Sequence, residues 1–304
     1  MYLHVNAKEG SGVDLYTRYL IQGLTEVCPG VNFVIYNYQN SSTGMFAAIN
    51  ANPDGLNLGT CSGSAIVQWH TSASDISLKD DAKIVGIMNL GSPQAIIAGF
   101  DAPYKNFNEL AEYIKANPGQ VYIGCSMGGT TQLIFTSFVE AIAGDKDLAM
   151  YVQCASEPDR LTNVASGALD IASCSILNAL AYENDGRLNV LGTIGPNLST
   201  LPTMSELLGI ELSERYASGP EQGFNDATWE SNYYVFAPVD TPDAVCRAIN
   251  EAICKANETA SYMEGNKAMA TFVAPVYYNN TQAHFQREWT TIQRLVNELG
   301  LSAR

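Results

Sequence analysis

Gly124-x-Ser126-x-Gly128 places a serine between two glycines where an apolar strand, Val121–Ile123, gives way to an apolar helix, Gln132–Ala143. In that setting a tight turn exposes a serine hydroxyl for attack on an acyl carbon. The attack needs a later histidine to take the proton and a carboxylate to orient that histidine. Only His284 follows, inside a predicted C-terminal helix, while His4 and His70 precede the serine. Gly59-x-Cys61-x-Gly63 repeats the spacing at a second strand end, so glycine-rich loops generate the pattern without chemistry. A serine esterase using Ser126 is the alternative reading.

The same turn has a second chemical use, and it has a counterpart. Leu3–Ala7 runs into Glu9-Gly10-Ser11-Gly12-Val13-Asp14 and then a helix from Leu15. Val121–Ile123 runs into Gly124-Cys125-Ser126-Met127-Gly128-Gly129-Thr130-Thr131 and then a helix from Gln132. The first N–H groups of a helix lack intrahelical acceptors and carry partial positive charge. Glycines let an anion approach them closely. Two such ends facing one another would clamp a small anion without catalysis.

Other chemistries find less support. Gly10-x-Gly12 begins a dinucleotide fingerprint, but its third glycine position is Leu15 and the next strand ends in Asn37, not an acid. That fingerprint needs both. No Gly-Lys-Ser/Thr follows either turn, so a phosphate-binding P-loop is excluded. The three histidines are too scattered for a metal cluster, and no cofactor is expected. A net charge of -15 opposes nucleic acid as a partner. Against a small anion the argument is weaker, because distant charges are screened and local dipoles are not. No apolar run approaches the ~18 residues needed to span a bilayer.

Cys28, Cys61, Cys125, Cys154, Cys174, Cys246 and Cys254 are odd in number and cannot all pair within one chain. They read first as small buried hydrophobes, with a disulfide left open. No signal segment opens the chain, which starts almost directly on a strand at Tyr2–Val5. Such a start suits a mature secreted protein and a cytoplasmic one equally.

The elements that position these turns alternate along 304 residues, enough for about two domains of ~150 residues each. Val31–Tyr36, Leu56–Gly59, Ile84–Met88, Ala95–Phe100, Val121–Ile123, Tyr151–Gln153, Ile171–Ser173, Val190–Thr193 and Tyr233–Phe236 read as short apolar strands. Asn106 with Glu109 signals a helix start, and Pro118-Gly119 signals its stop. Thr241 is expected to cap a helix with Pro242 at its first position. Phe285, Trp289, Ile292, Val296 and Leu299 mark a final amphipathic helix. Glu211–Glu230 lacks periodicity and reads as a loop or insertion. Repeated βα units imply an α/β fold with largely parallel sheets, whose ligands sit outside the carboxyl ends of the strands.

Taken in order, these segments resemble the substrate-binding receptors of tripartite tricarboxylate transporters, the Bug receptor family. The shared motifs are Gly10-Ser11-Gly12-Val13-Asp14 with Arg18, Pro53-Asp54-Gly55 before Gly59-Thr60, and Ala116-Asn117-Pro118-Gly119 before Gly124-Cys125-Ser126-Met127. Gly167-Ala168-Leu169-Asp170, Leu201-Pro202-Thr203 with Glu206, and Ala237-Pro238-Val239-Asp240-Thr241-Pro242 continue the series. The resemblance implies a two-lobed type II periplasmic-binding-protein fold with the ligand cleft between the domains. Lobe 1 is expected over 1–97 plus 236–304, and lobe 2 over 98–235.

The resemblance further implies a non-catalytic, monomeric, periplasmic or otherwise extracytoplasmic receptor, freely diffusing or lipid-anchored. It would bind a small carboxylic acid (a di- or tricarboxylate, an acidic amino acid or an aromatic acid) and deliver it to membrane permease subunits. The expected ligand-binding residues are Gly10, Ser11, Gly12, Val13, Asp14, Thr60, Ser62, Ser126, Met127, Gly128, Gly129, Thr130, Thr131, Ser156 and Ser175. Asp14 is expected to brace its loop, since its charge repels an acid. The matched loops contain no arginine and, apart from Lys8, no lysine, so backbone dipoles and water are expected to hold the acid. The chain departs from the family pattern at Ser11, Val13, Cys154-Ala155-Ser156, Cys174-Ser175 and Asn232, mostly at positions expected to border the cleft. Cys61, Cys125, Cys154 and Cys174 also fall at strand ends there.

Overall fold

Each apolar run read from the sequence forms a strand, with shifted ends. In chain order the strands are β1 (Tyr2–Val5), β2 (Val34–Asn37), β3 (Asn57–Ser62), β4 (Ala82–Asn89), β5 (Gln94–Gly99), β6 (Tyr122–Cys125), β7 (Met150–Gln153), β8 (Ile171–Ser175), β9 (Leu188–Ile194) and β10 (Tyr233–Pro238). The structure is a computed structural model and describes residues 1–89, 94–195, 212–227, 229, 232–269, 271 and 275–302. Its contacts divide the chain into two units: Met1–Gly91 with Ser231–Arg294 and Ser302–Arg304, and Ser92–Glu230 with Leu295–Leu301.

The first unit holds a five-stranded sheet in the order β2-β1-β3-β10-β4. Its helices are α1 (Gly12–Val27), α2 (Ser41–Ile49), α3 (Ser64–His70) and α4 (Leu78–Asp81). The second unit holds a sheet in the order β7-β6-β8-β5-β9, with α5 (Phe107–Ala116), α6 (Thr130–Ala143), α7 (Glu157–Ala165), α8 (Ile176–Asn184) and α9 (Leu212–Arg215). The chain then returns to the first unit through α10 (Asp243–Ala256), α11 (Ala260–Ala268) and most of α12 (Tyr278–Glu298).

The two sheets share one plan. β1 and β6 are each second in their sheet, flanked by parallel neighbours. Each therefore sends its glycine turn off the same carboxyl edge. The sheets are mixed, not purely parallel: β10 runs antiparallel to β3 and β4, and β5 to β8 and β9. By sequence each of these two strands follows a segment of the other unit, so no βαβ unit within one sheet imposes parallel pairing on it.

Local chemistry explains the helices that matter for the site. Ser11 caps α1 by accepting the Asp14 N–H, and Tyr16, Leu20 and Leu24 line its buried face. That face packs with Leu58, Val85, Val235, Ile249, Ile253 and Tyr262 into one core. Each such side chain contributes roughly 1.5–3 kcal/mol relative to exposure. In the second unit Phe107, Phe135 and Phe138 form an edge-to-face cluster under α5 and α6. Asn106 accepts the Glu109 N–H at 2.9 Å, as its spacing predicts.

Two expectations are corrected. Thr241 does not cap α10; Pro242 takes the cap position and its carbonyl accepts from Cys246 at 3.0 Å. The described part of Glu211–Glu230 is anchored structure, not free loop. Gln222 accepts from Phe107 N–H at 2.7 Å and donates to Leu191 and Ala217 carbonyls, while Arg215 and Tyr216 bond Glu183. Side-chain anchoring of this kind has no periodicity to read. The Leu201-Pro202-Thr203 and Glu206 motif lies outside the described residues.

Candidate functional site

The first turn is built around a buried carboxylate. Asp14 is 1% exposed. Its Oδ2 accepts the Gly10 N–H at 2.8 Å and Arg18 Nε at 2.9 Å, and its Oδ1 accepts Asn37 Nδ2 at 2.9 Å. Burial acts to raise its pKa, but the bonds from Arg18, Gly10 and Asn37 outweigh it and hold the carboxyl below 3.8. Gly10 has φ 79°, a left-handed value that favours glycine. Asp14 thereby closes the loop onto the start of α1. Ser11 N–H is taken by the Lys8 carbonyl, while Gly12 and Val13 N–H groups take no acceptor among the described residues.

Other predicted residues of this unit have defined places. The Thr60 hydroxyl is fully buried and accepts from Thr17 at 2.9 Å. Ser62 ends β3, 2.6 Å from the Ser64 hydroxyl and in register with Tyr233. Tyr233 was not anticipated from sequence. Its ring packs on Tyr16 at 4.5 Å, and its hydroxyl lies 3.0 Å from where a Cβ on Gly12 would stand.

The second turn is wired differently. Ser126 N–H donates to Thr131 Oγ1 at 2.7 Å, Met127 N–H to Gln153 Oε1 at 2.8 Å, and Gly128 N–H to Gln132 Oε1 at 2.6 Å. Gly129 N–H returns to the Ser126 carbonyl, and Gly128 has φ 71°. The Thr130 and Thr131 N–H groups are left without acceptors among the described residues. Thr130 Oγ1 is sealed from solvent and has no hydrogen-bond partner. Helix α6 thus starts with two N–H groups that have no acceptor among the described residues and one buried, unpartnered hydroxyl beside them, with no side-chain cap of its own.

Ser156 caps α7 and donates to Asp159 at 2.5 Å. The Ser175 N–H and hydroxyl both bond Glu157 Oε1, at 3.1 and 2.8 Å. Cys125, Cys154 and Cys174 gather at the carboxyl ends of β6, β7 and β8, and all seven cysteines are free. Burial pushes the Cys125 thiol up to about 11 and Cys174 higher still, so these sulfurs are neutral packing groups.

Ser126 has no histidine in its own unit. His4 lies in β1 against Tyr38 and Asn57, His70 packs on Trp289, and His284 sits in α12. Sequence reading also missed Arg160, in the first turn of α7. Its signal was a cation where a helix dipole disfavours one.

The profile of the family described as "Tripartite tricarboxylate transporter family receptor" matches residues 30–301. The chain belongs to that receptor family. The first glycine turn lies outside the matched span, and the second lies inside it. A UPF0065 protein of Bordetella pertussis is 25% identical to the receptor over 260 residues, covering 84% of this chain and 75% of that protein. MatC from Rhodopseudomonas palustris with bound malate superposes with a TM-score of 0.73 at 17% identity, covering 97% of both chains. An R. palustris protein with adipate superposes at 0.76 and 17% identity, covering 99% of this chain and 97% of that one. The receptor has the two-lobed periplasmic-binding-protein fold and is not an enzyme. No described helix is long and apolar enough to cross a membrane.

Proposed function

We propose that this receptor binds a small carboxylic acid outside the cytoplasm, in a periplasm or lipid-anchored on the outside of the cell membrane, and hands it to the permease subunits of a tripartite tricarboxylate transporter. The acid is a di- or tricarboxylate, an acidic amino acid or an aromatic acid. The observation that carries this reading is the matched pair of strand–glycine turn–helix junctions, each at the carboxyl edge of its own sheet. Each has helix-start N–H groups without acceptors among the described residues: Gly12 and Val13 in one unit, Thr130 and Thr131 in the other. Such groups with a helix dipole behind them suit carboxylate oxygens. Malate and adipate in the two R. palustris structures support that ligand class.

Thermal unfolding against small carboxylates, amino acids and sugars, after refolding to strip carried ligand, tests the reading. A ligand at ~1,000 times its dissociation constant adds about 4 kcal/mol of stability. A large shift with one or a few acids is expected. A shift with a sugar alone, or none with any acid, would overturn it.

A further inference from the structure

Arg160 is 5% exposed, a cation buried in the second unit. Its Nε donates to the Ser173 carbonyl at 2.9 Å, and its Nη1 to the carbonyls of Ala155 at 2.7 Å and Cys154 at 3.5 Å. Ser173 is in β8, and residues 154 and 155 directly follow β7. Since β6 lies between β7 and β8, the guanidinium spans the carboxyl end of β6, beside the turn that leads to Thr130. The close approach of the Arg160 stem to β6 agrees: its Cγ is 3.6 Å from where a Cβ on Gly124 would stand.

Three features make this charge unusual. Among the described residues no carboxylate pairs with it within 4.0 Å. Glu157, one turn earlier on α7, turns its Oε1 to Ser175 and Asn178 instead. Burial raises the Cys125 and Cys174 thiols, so these two supply no counter-charge. Among the described residues Nη2 takes no acceptor, yet it is not among the sealed atoms that lack a partner, so it reaches solvent. A desolvated cation is costly unless paired, and among the described residues three carbonyls, not a carboxylate, offset that cost on the buried edge.

Resting on the receptor reading above, we propose that Arg160 is a ligand-binding residue whose open Nη2 takes one carboxylate oxygen of the acid. The three carbonyls aim the guanidinium like a fixed fork, leaving one donor edge for the ligand. This charge selects the ionised form of that end of the ligand over its amide.

The test titrates wild type, Arg160→Gln and Arg160→Lys with malate, adipate and the monoamide of each. Wild type is expected to bind one of the diacids. Arg160→Gln should weaken that diacid at least thirtyfold while changing its monoamide less than threefold, and Arg160→Lys should restore part of the loss. An equal loss for diacid and monoamide, or no loss, overturns the assignment and leaves the receptor reading standing. Binding of neither diacid to wild type overturns the assignment too; the wider thermal panel then decides the receptor reading separately. Should Arg160→Gln not fold, the Arg160 Nε–Hε resonance of wild type, identified by its absence in Arg160→Lys, replaces it. That resonance should move and saturate with the binding curve. A bound diacid that leaves it unmoved contradicts the proposal.

Discussion

The Asp14 carboxylate accepts the backbone N–H of Gly10 at 2.8 Å, four residues back along the chain. A buried negative charge therefore organises the turn in which the Gly12 and Val13 N–H groups take no acceptor among the described residues, the groups proposed above to meet the acid. The Asp14 charge is paired with Arg18 at 2.9 Å and hydrogen-bonded by Asn37.

Asp14→Asn removes the charge and keeps the shape. Hydrogen bonds to a charged group contribute about 1.5–3 kcal/mol each, not additively, so a loss of about 2 kcal/mol in urea unfolding at neutral pH is expected. The folded pKa is depressed, so the contribution is complete above the unfolded value near 3.8 and fades as pH falls through the folded value. The gap between wild type and Asp14→Asn should therefore close on acidification below pH 3.8. A gap constant with pH would show that shape, not charge, supports the turn.

Thr130→Val separates binding from stability. Its hydroxyl is buried without a partner, so removing it should leave unfolding unchanged or raise stability by about 1 kcal/mol. Combined with Gly128→Val, which costs about 1–2 kcal/mol at a left-handed φ, it should weaken the acid at least about tenfold, or 1.4 kcal/mol. Unchanged affinity in the pair would remove this turn from the site.

Gln153 and Gln132 cover the Met127 and Gly128 N–H groups. With Thr130 and Thr131 as the contact donors, Gln153→Ala and Gln132→Ala should each keep acid affinity within about threefold, under 1 kcal/mol. A rise beyond tenfold in calorimetry would instead make the covered N–H groups the ligand's own donors.

A Cβ on Gly59 would stand 2.1 Å from Phe236 Cζ. Gly59→Ala should therefore destabilise by about 3 kcal/mol through overpacking between β3 and β10. Denaturant unfolding with an unchanged slope and a lowered midpoint is the expected record.

Much of this was legible in sequence because it is periodic or local. The Asn106 cap and the two glycine turns depend on residues within a few positions of one another. The apolar runs marked the strands, although β3 and β8 extend past them to Ser62 and Ser175 where polar residues end the ladders. The antiparallel sense of β5 and β10 was not legible, because direction is set by where the chain enters a sheet and not by its residues. Arg160, Tyr233 and Gln153 were missed for a related reason: topology, not neighbouring sequence, brings them to the turns. The engagement of Thr60 by Thr17 needed the packing of α1 on β3 to be seen.

The most direct measurement is a calorimetric titration of the refolded protein with the acid that gives the largest thermal shift, and with that acid's full amide. The amide is expected to bind at least about hundredfold more weakly than the acid, a difference of about 2.8 kcal/mol. Equal binding of acid and amide would contradict it, since helix-start N–H groups and an open guanidinium edge would then not be what holds the ligand.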